Sequence, residues 1–300
     1  MPPISILIKP ASSGCNIACR YCFYHAIAEN RSVANYGIMS EDTLERLVKE
    51  TIAYADGFAA FAFQGGEPTI AGLDFFRKAV ELQKKYNTKR LEIQNTIQTN
   101  GVLINEEWAK FLAENDFLVG LSLDGPRSVN DYCRVDISGN SIFDRELETI
   151  RLFRKYNVKF NICSVVTKKT AEKITAVYNY FKQMGFMYQQ YIPCLDEQGA
   201  EKSDYSLTAA QYGDFLNKLF DLWYKDFSSG LEIDIRQFSN FAQMAAGYAP
   251  EECGMCGKCT TYFVVESDGS VFSCDFYTTD EWRSGIFRRA LTAFTTAKSR

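Results

Sequence analysis

Ten cysteines in 300 residues are the first feature that could do chemistry, and their spacing is uneven. Cys15, Cys19 and Cys22 form a C-x3-C-x2-C run. Cys253, Cys256, Cys259 and Cys274 crowd towards the other end, and Cys133, Cys163 and Cys194 stand alone. Three thiolates on one short loop can hold three irons of a cubane 4Fe–4S cluster, leaving the fourth iron open to a substrate or cofactor. A closed four-cysteine site would instead be a structural staple. The alternative for the first run is a zinc knot with His25 as fourth ligand, which the spacing from Cys22 permits. The three isolated cysteines read as core residues, the common fate of a thiol without partners.

Those residues need a frame, and hydrophobic periodicity supplies one. Ile4 to Ile8, Phe58 to Phe63, Leu91 to Ile97, Phe117 to Leu123, Val158 to Val166 and Met187 to Ile192 read as strands. Amphipathic helices alternate with them over Thr43 to Ala55, Leu73 to Tyr86, Glu106 to Glu114, Phe143 to Tyr156 and Ala171 to Met184. The apolar run Phe58 to Phe63 suggests a strand buried on both faces. Six βα units imply a parallel sheet with right-handed crossovers, and the count favours an α/β fold built as an open, partial (β/α)6 TIM-like barrel. Past Asp196 the rhythm changes to a loop, a strong helix over Ala209 to Phe227, and a hairpin turning at Asp268-Gly269 and ending in Cys274. The expected organisation is a barrel over 1–205, a connecting helix over 206–230 and a small cysteine-bearing hairpin domain over 231–300.

The unusual segments then fall at strand ends. Cys15 to Cys22 follows the first strand, Gly65-Gly66-Glu67-Pro68 the second, Gln98 to Gly101 the third, Ser122 to Gly125 the fourth, and Cys194 to Asp196 the sixth. In parallel sheets the carboxyl ends of strands share one rim, where ligands bind. Glycines 65 and 66 suit a close backbone approach to a ligand.

At these residues the chain resembles the radical S-adenosylmethionine enzymes. Their signature is this three-cysteine loop with an aromatic residue, here Tyr21, before the last cysteine; the GGEP segment and Ser122 to Gly125 match two more of their motifs. The resemblance narrows to the anaerobic sulfatase-maturating enzymes on IKPASSGCN, Cys22-Phe23-Tyr24-His25, FQGGEPT, LSLDGP, Leu222-Trp223-Tyr224, and the hairpin Phe263 to Val271 closed by Cys274-Asp275-Phe276-Tyr277. It runs from Pro2 to about Trp282.

That resemblance implies an oxidoreductase that converts a cysteine or serine of a sulfatase polypeptide to formylglycine through a 5′-deoxyadenosyl radical. It implies a 4Fe–4S cluster with an open iron on Cys15, Cys19 and Cys22, and S-adenosylmethionine bound by Tyr21, Gly66, Ser122, Arg134 and Leu195. Asp275 would be the general base, with Tyr24 and Gln64 as further substrate contacts. Cys253, Cys259 and Cys274 would ligate an auxiliary 4Fe–4S cluster of a SPASM-type domain, whose set stays incomplete because no cysteine follows Cys274. From Ile286 onward the match is lost, which reads as a truncation or reading-frame change near Gly285. An electron donor such as flavodoxin or ferredoxin is implied as a partner. A peptide maturase forming thioether links, or an inactive iron–sulfur or zinc-binding remnant, are the alternatives.

Composition bounds the rest. Hydrophobic residues make up 46% and charged residues 23% of the chain, which rules out wholesale disorder. A net charge of −4 gives no basic field for nucleic acid or anionic lipid. No apolar stretch approaches a membrane span, and MPPISILIKP has its lysine after the apolar run, unlike a secretory signal. A reducing, cytoplasmic setting is expected, in which the cysteines act as ligands rather than as disulfides.

Overall fold

The computed structural model describes residues 3–196, 201–257 and 262–286. Cys259 and the segment after Ile286, where the match to the family was expected to fail, lie outside the described residues. The strands are β1 (Ile4–Ile8), β2 (Phe58–Phe63), β3 (Glu92–Thr99), β4 (Leu118–Ser122), β5 (Lys159–Val166), β6 (Tyr188–Pro193), β7 (Asp234–Ile235), β8 (Phe263–Val265), β9 (Ser270–Phe272) and β10 (Arg283–Ile286). They form one sheet in the order β10-β9-β8-β1-β2-β3-β4-β5-β6-β7. Every pair from β8 through β1 to β7 is parallel, and β9 and β10 join antiparallel. No pairing closes β7 onto β10 among the described residues, so the α/β barrel is open, as expected.

Two features differ from the sequence expectation. A seventh parallel strand, β7, escapes notice because two residues carry no periodicity. The hairpin of β8 and β9 does not make a sheet of its own; β8 lies beside β1, with Ile6 to Ile8 in register with Phe263 to Val265. This pairing brings Cys274 and Asp275 to the rim on which the first cysteine run sits.

β2 is buried on one face rather than two. Ala59, Phe61 and Phe63 are buried among the helices, while Phe58, Ala60 and Ala62 are half-buried because they face the open interior. On the helix side Phe63 meets Phe76 at 4.9 Å between ring centroids, and Phe76 meets Trp108 at 5.1 Å. Each such edge contact adds about 1 kcal/mol beyond the area buried. The helices start where side chains cap them. Ser40 accepts from Thr43 N, so the first long helix begins at Glu41 rather than Thr43, and Asn105 accepts from Trp108 N in the same way. The helix expected over Ala171 to Met184 is two, Lys168–Glu172 and Ile174–Gln183, broken at Lys173. No helix among the described residues is long and apolar enough to cross a membrane.

Candidate functional site

The loop after β1 carries Cys15, Cys19 and Cys22, all half-buried, and ends in the short helix Phe23–Glu29. It is pinned from across the mouth. Ala18 N donates to Val135 O at 2.8 Å and Arg20 N to Cys133 O at 3.0 Å, so the segment after the helix Arg127–Cys133 runs against the cysteines. The three thiols feel one another's charge, and burial pushes Cys15 up to about 11 and Cys19 up to about 12. Binding a metal there would release these protons. His25 is exposed, with its backbone N–H donating to Cys22 O. Among the described residues no three His, Cys, Asp or Glu converge on a single metal ion, the three cysteines of this loop included, so their spacing is wider than a mononuclear site needs.

The glycine pair after β2 makes close approaches, but to the protein's own chain. A Cβ on Gly66 would stand 2.3 Å from Gly14 O and 2.9 Å from Ser12 O, and one on Gly65 would stand 2.6 Å from Lys9 Cε. Both have positive φ, +55° and +98°. Glu67 N then donates to Gly14 O at 2.7 Å, locking the GGEP turn to the cysteine loop. The Glu67 carboxylate, fully buried, accepts from Thr69 N, Thr69 Oγ1, Thr99 Oγ1 and Asn100 N. Asn100 Nδ2 in turn reaches Asn16 Oδ1 at 2.8 Å and Cys15 Sγ at 3.9 Å.

Arg134 is no surface arginine. It is 3% exposed, with Nε 3.0 Å from Glu146 Oε1 and Nη1 donating to Tyr21 Oη at 3.2 Å and to Cys19 Sγ at 3.8 Å. Tyr21 Oη donates onward to Asp124 Oδ2 at 2.8 Å, and Asp124 Oδ1 accepts from Val165 N. Nη2 of Arg134 has no partner among the described residues although it is buried. An unpaired guanidinium N–H aimed into a site suits a carboxylate ligand. Ser122 ends β4 half-buried on the same rim; Leu195, 47% exposed, lies just beyond β6 and makes no polar contact through its side chain.

Tyr24, Gln64 and Asp275 meet. Tyr24 Oη donates to Asp275 Oδ2 at 2.5 Å and accepts from Gln64 Nε2 at 3.1 Å. Asp275 is 3% exposed rather than a hairpin-end residue facing water, and its Oδ1 has no partner among the described residues. Burial pushes its carboxyl above the ordinary carboxylate range; the Lys9 ammonium and the Tyr24 hydroxyl pull the other way.

Behind this trio lies a buried ionic group. Glu266 pairs with Lys9 Nζ at 2.9 Å and Arg31 Nη1 at 3.4 Å, and accepts from Ser12 Oγ at 2.7 Å. Burial alone would push the Glu266 carboxyl up, but Lys9, Arg31 and Ser12 together hold it below its ordinary 4.5. The sign follows: this group's contribution to stability is complete above the unfolded value near 4.5 and is lost as pH falls through the lower folded value. Glu266→Gln should therefore cost about 3 kcal/mol in urea unfolding at pH 7, as for one partner removed from a buried pair, and markedly less near pH 3.5. A cost that does not shrink on acidification would contradict the assignment.

Of the second cysteine group, Cys253 is exposed and Cys256 half-buried, its thiol directed at the carbonyls of Pro250 and Glu252 at 3.4 and 3.5 Å. Cys253 and Cys274 both bear on Tyr262, whose hydroxyl burial chiefly raises. Cys133, Cys163 and Cys194 are buried, as expected of core thiols.

The donors fit a cluster with one open iron beside a bound amino acid. Three thiols share a buried loop, N–H groups of Asn100 and Arg134 approach two of the sulfurs, and an unpaired cationic N–H waits next to them. Sequence reasoning singled out the cysteines, Tyr21, Arg134 and Asp275 but missed Lys9, Glu67, Asn100, Glu146 and Glu266 as partners. Glu67 stood inside a recognised motif. Lys9, Asn100 and Glu266 likewise stood inside segments already singled out, without being marked themselves; Glu146 gave no signal, because a buried charge on an amphipathic element looks like a solvated one.

Residues 10–181 match the Radical SAM superfamily, which defines the class of this fold and its cysteine rim. The chain is 52% identical over 287 residues to the cysteine-type anaerobic sulfatase-maturating enzyme of Clostridium perfringens, covering 95% of this chain and 78% of that protein. It is 35% identical over 289 residues to the serine-type anaerobic sulfatase-maturating enzyme of Klebsiella aerogenes, covering 94% and 69%. Native anSMEcpe with bound AdoMet superposes with a TM-score of 0.91 at 50% identity, over 96% of this chain and 80% of that one; a further structure of it holds AdoMet and the Kp18Cys peptide. The chain belongs to the anaerobic sulfatase-maturating enzymes of the radical SAM superfamily.

Proposed function

We propose that this protein oxidises a cysteine of a sulfatase polypeptide to formylglycine. The observation that carries the reading is the buried Asp275, with one carboxylate oxygen bonded to Tyr24 and the other without a partner among the described residues, on the rim that holds the three-cysteine loop. Identity of 52% to cysteine-type against 35% to serine-type relatives favours cysteine as the substrate residue.

Cys15, Cys19 and Cys22 would hold the 4Fe–4S cluster, which with S-adenosylmethionine supplies a carbon radical able to take a hydrogen from the substrate Cβ. Arg134 offers Nη2 to the cofactor carboxylate, while Glu146 fixes the guanidinium from behind. Tyr21, Gly66, Ser122 and Leu195 line the same rim as its remaining contacts. Asp275 Oδ1 accepts the substrate thiol proton, and Tyr24 and Gln64 fix the carboxylate that receives it. Cys253, Cys259 and Cys274 would hold an auxiliary cluster, whose chemistry there would be one-electron acceptance; the thioaldehyde left on the substrate would take up water and release sulfide to give the aldehyde. Residues 1–205 carry the radical chemistry, 206–230 connect and 231–300 hold the auxiliary site. The partners are the sulfatase polypeptide and a flavodoxin or ferredoxin donor, in the reducing cytoplasm.

Anaerobic incubation of the iron- and sulfide-reconstituted chain with reductant, S-adenosylmethionine and a cysteine-containing sulfatase-motif peptide tests this. A peptide product bearing an aldehyde, read by mass spectrometry, is the expected outcome. Cofactor cleavage without any modified peptide would defeat it.

A further inference from the structure

Lys9 is among the largest fully buried side chains of the protein, at 1% exposure, and no role in binding or chemistry falls to it above. A lysine goes that deep only with its charge compensated. It stands one residue past β1, where its backbone N–H donates to Val265 O at 2.9 Å. Its ammonium is 2.9 Å from Glu266 Oε1, on the hairpin, and 3.5 Å from Thr278 Oγ1, three residues after Asp275. The same ammonium lies 4.8 Å from the centroid of the Tyr24 ring, within cation–π range. Its stem passes over Gly65, in the space a side chain there would fill. One side chain thus touches four segments besides its own: the GGEP turn, the helix bearing Tyr24, the hairpin at Glu266 and the stretch after Asp275 at Thr278.

Deepening the reading above and resting on it, we propose that Lys9 is a positioning residue for the Tyr24–Asp275 pair. Two separate tethers set the pair's geometry. Tyr24 comes from the helix that follows the cysteine loop, whereas Asp275 comes from the far end of the chain, so their 2.5 Å contact depends on how the hairpin seats against the barrel mouth. Lys9 ties these two segments together through the ring of one and the neighbours of the other. Glu266, held by Ser12 and Arg31, fixes the ammonium from behind. Loss of Lys9 would leave the cysteine loop with its own anchors to Val135, Cys133 and Glu67. The two halves of the reaction would then separate: hydrogen abstraction would outlast proton acceptance.

The test compares wild type with Lys9→Met and with the milder Thr278→Val, each reconstituted as the full chain. It reads 5′-deoxyadenosine released per aldehyde formed, and backbone hydrogen exchange of residues 262–278. The ratio should rise at least fivefold in Lys9→Met and at least twofold in Thr278→Val, with exchange over 262–278 faster than wild type and exchange in β3 to β5 unchanged. A purely structural role lowers both products together, leaves the ratio at its wild-type value and overturns the proposal, as does a ratio unaltered at full activity. Should Lys9→Met fail to fold, the Thr278→Val ratio decides by the same criterion. If wild type itself makes no aldehyde, the proposed function fails separately. The inference is then judged on exchange alone: wild-type protection of 262–278 in the variant overturns it, and selective loss supports it.

Discussion

Asp275→Asn is expected to reduce aldehyde formation by about two to four orders of magnitude, the range a positioned proton acceptor contributes. The amide matches the carboxylate in shape, and its oxygen can still accept from Tyr24, so the fold should tolerate it. What changes is the second position. Oδ1 has no partner among the described residues, and an amide nitrogen placed there would donate where the carboxylate accepts. Burial already disfavours the ionised carboxylate, so removing the charge should leave the urea midpoint unchanged or slightly higher. 5′-Deoxyadenosine release should fall far less than aldehyde yield, because Arg134, Tyr21 and the cysteine loop are anchored independently of Asp275. Single-turnover assays following both products by mass spectrometry separate the two effects. Parallel loss of both would mean that Asp275 holds the mouth together instead of receiving a proton.

How much of this was legible beforehand follows from the range of each interaction. Strands β1 to β6 could be read because the signal of each is local, an apolar run in β1 and β2 and apolar residues interspersed with polar ones in β3, β5 and β6, and rim placement followed from parallel topology alone. The cysteine loop was legible because ligand spacing is itself local. The hairpin's docking on β1 was not: Ile6 to Ile8 and Phe263 to Val265 are ordinary apolar triplets, and nothing in either names the other. For the same reason nothing local marks Asp275 as buried, and only the family match singles it out. Lys9 and Glu266, 257 positions apart in the chain, are each unremarkable until their 2.9 Å contact is seen. Glycines 65 and 66 were marked for close approach to a ligand, and the atoms that crowd them are the protein's own. What they approach, a lysine stem and a carbonyl, depends on tertiary packing that the motif does not encode.

Among the described glycines, Gly66→Ala should be the most damaging added methyl. Its Cβ would lie 2.3 Å from Gly14 O and 2.9 Å from Ser12 O, both backbone atoms of the loop leading into Cys15. A flexible side chain could swing aside, but these oxygens can move only if the loop moves, by roughly 1 Å to restore ordinary contact. The φ of +55° adds about 1 kcal/mol for a residue with a Cβ, and overpacking adds a further 1–3 kcal/mol. Gly57→Ala is the matched control: φ there is +73°, but nothing lies within 4 Å of the added carbon. The control should lose only the backbone part in urea unfolding and keep its full complement of iron. Gly66→Ala should lose several kcal/mol and, because the shift displaces Cys15 relative to Cys19 and Cys22, should take up less iron and sulfide on anaerobic reconstitution. Equal stability and equal iron in the two variants would mean that the GGEP turn is not what sets the cysteine loop in place. The loop would then owe its geometry to the opposite wall, where Val135 and Cys133 accept from Ala18 and Arg20.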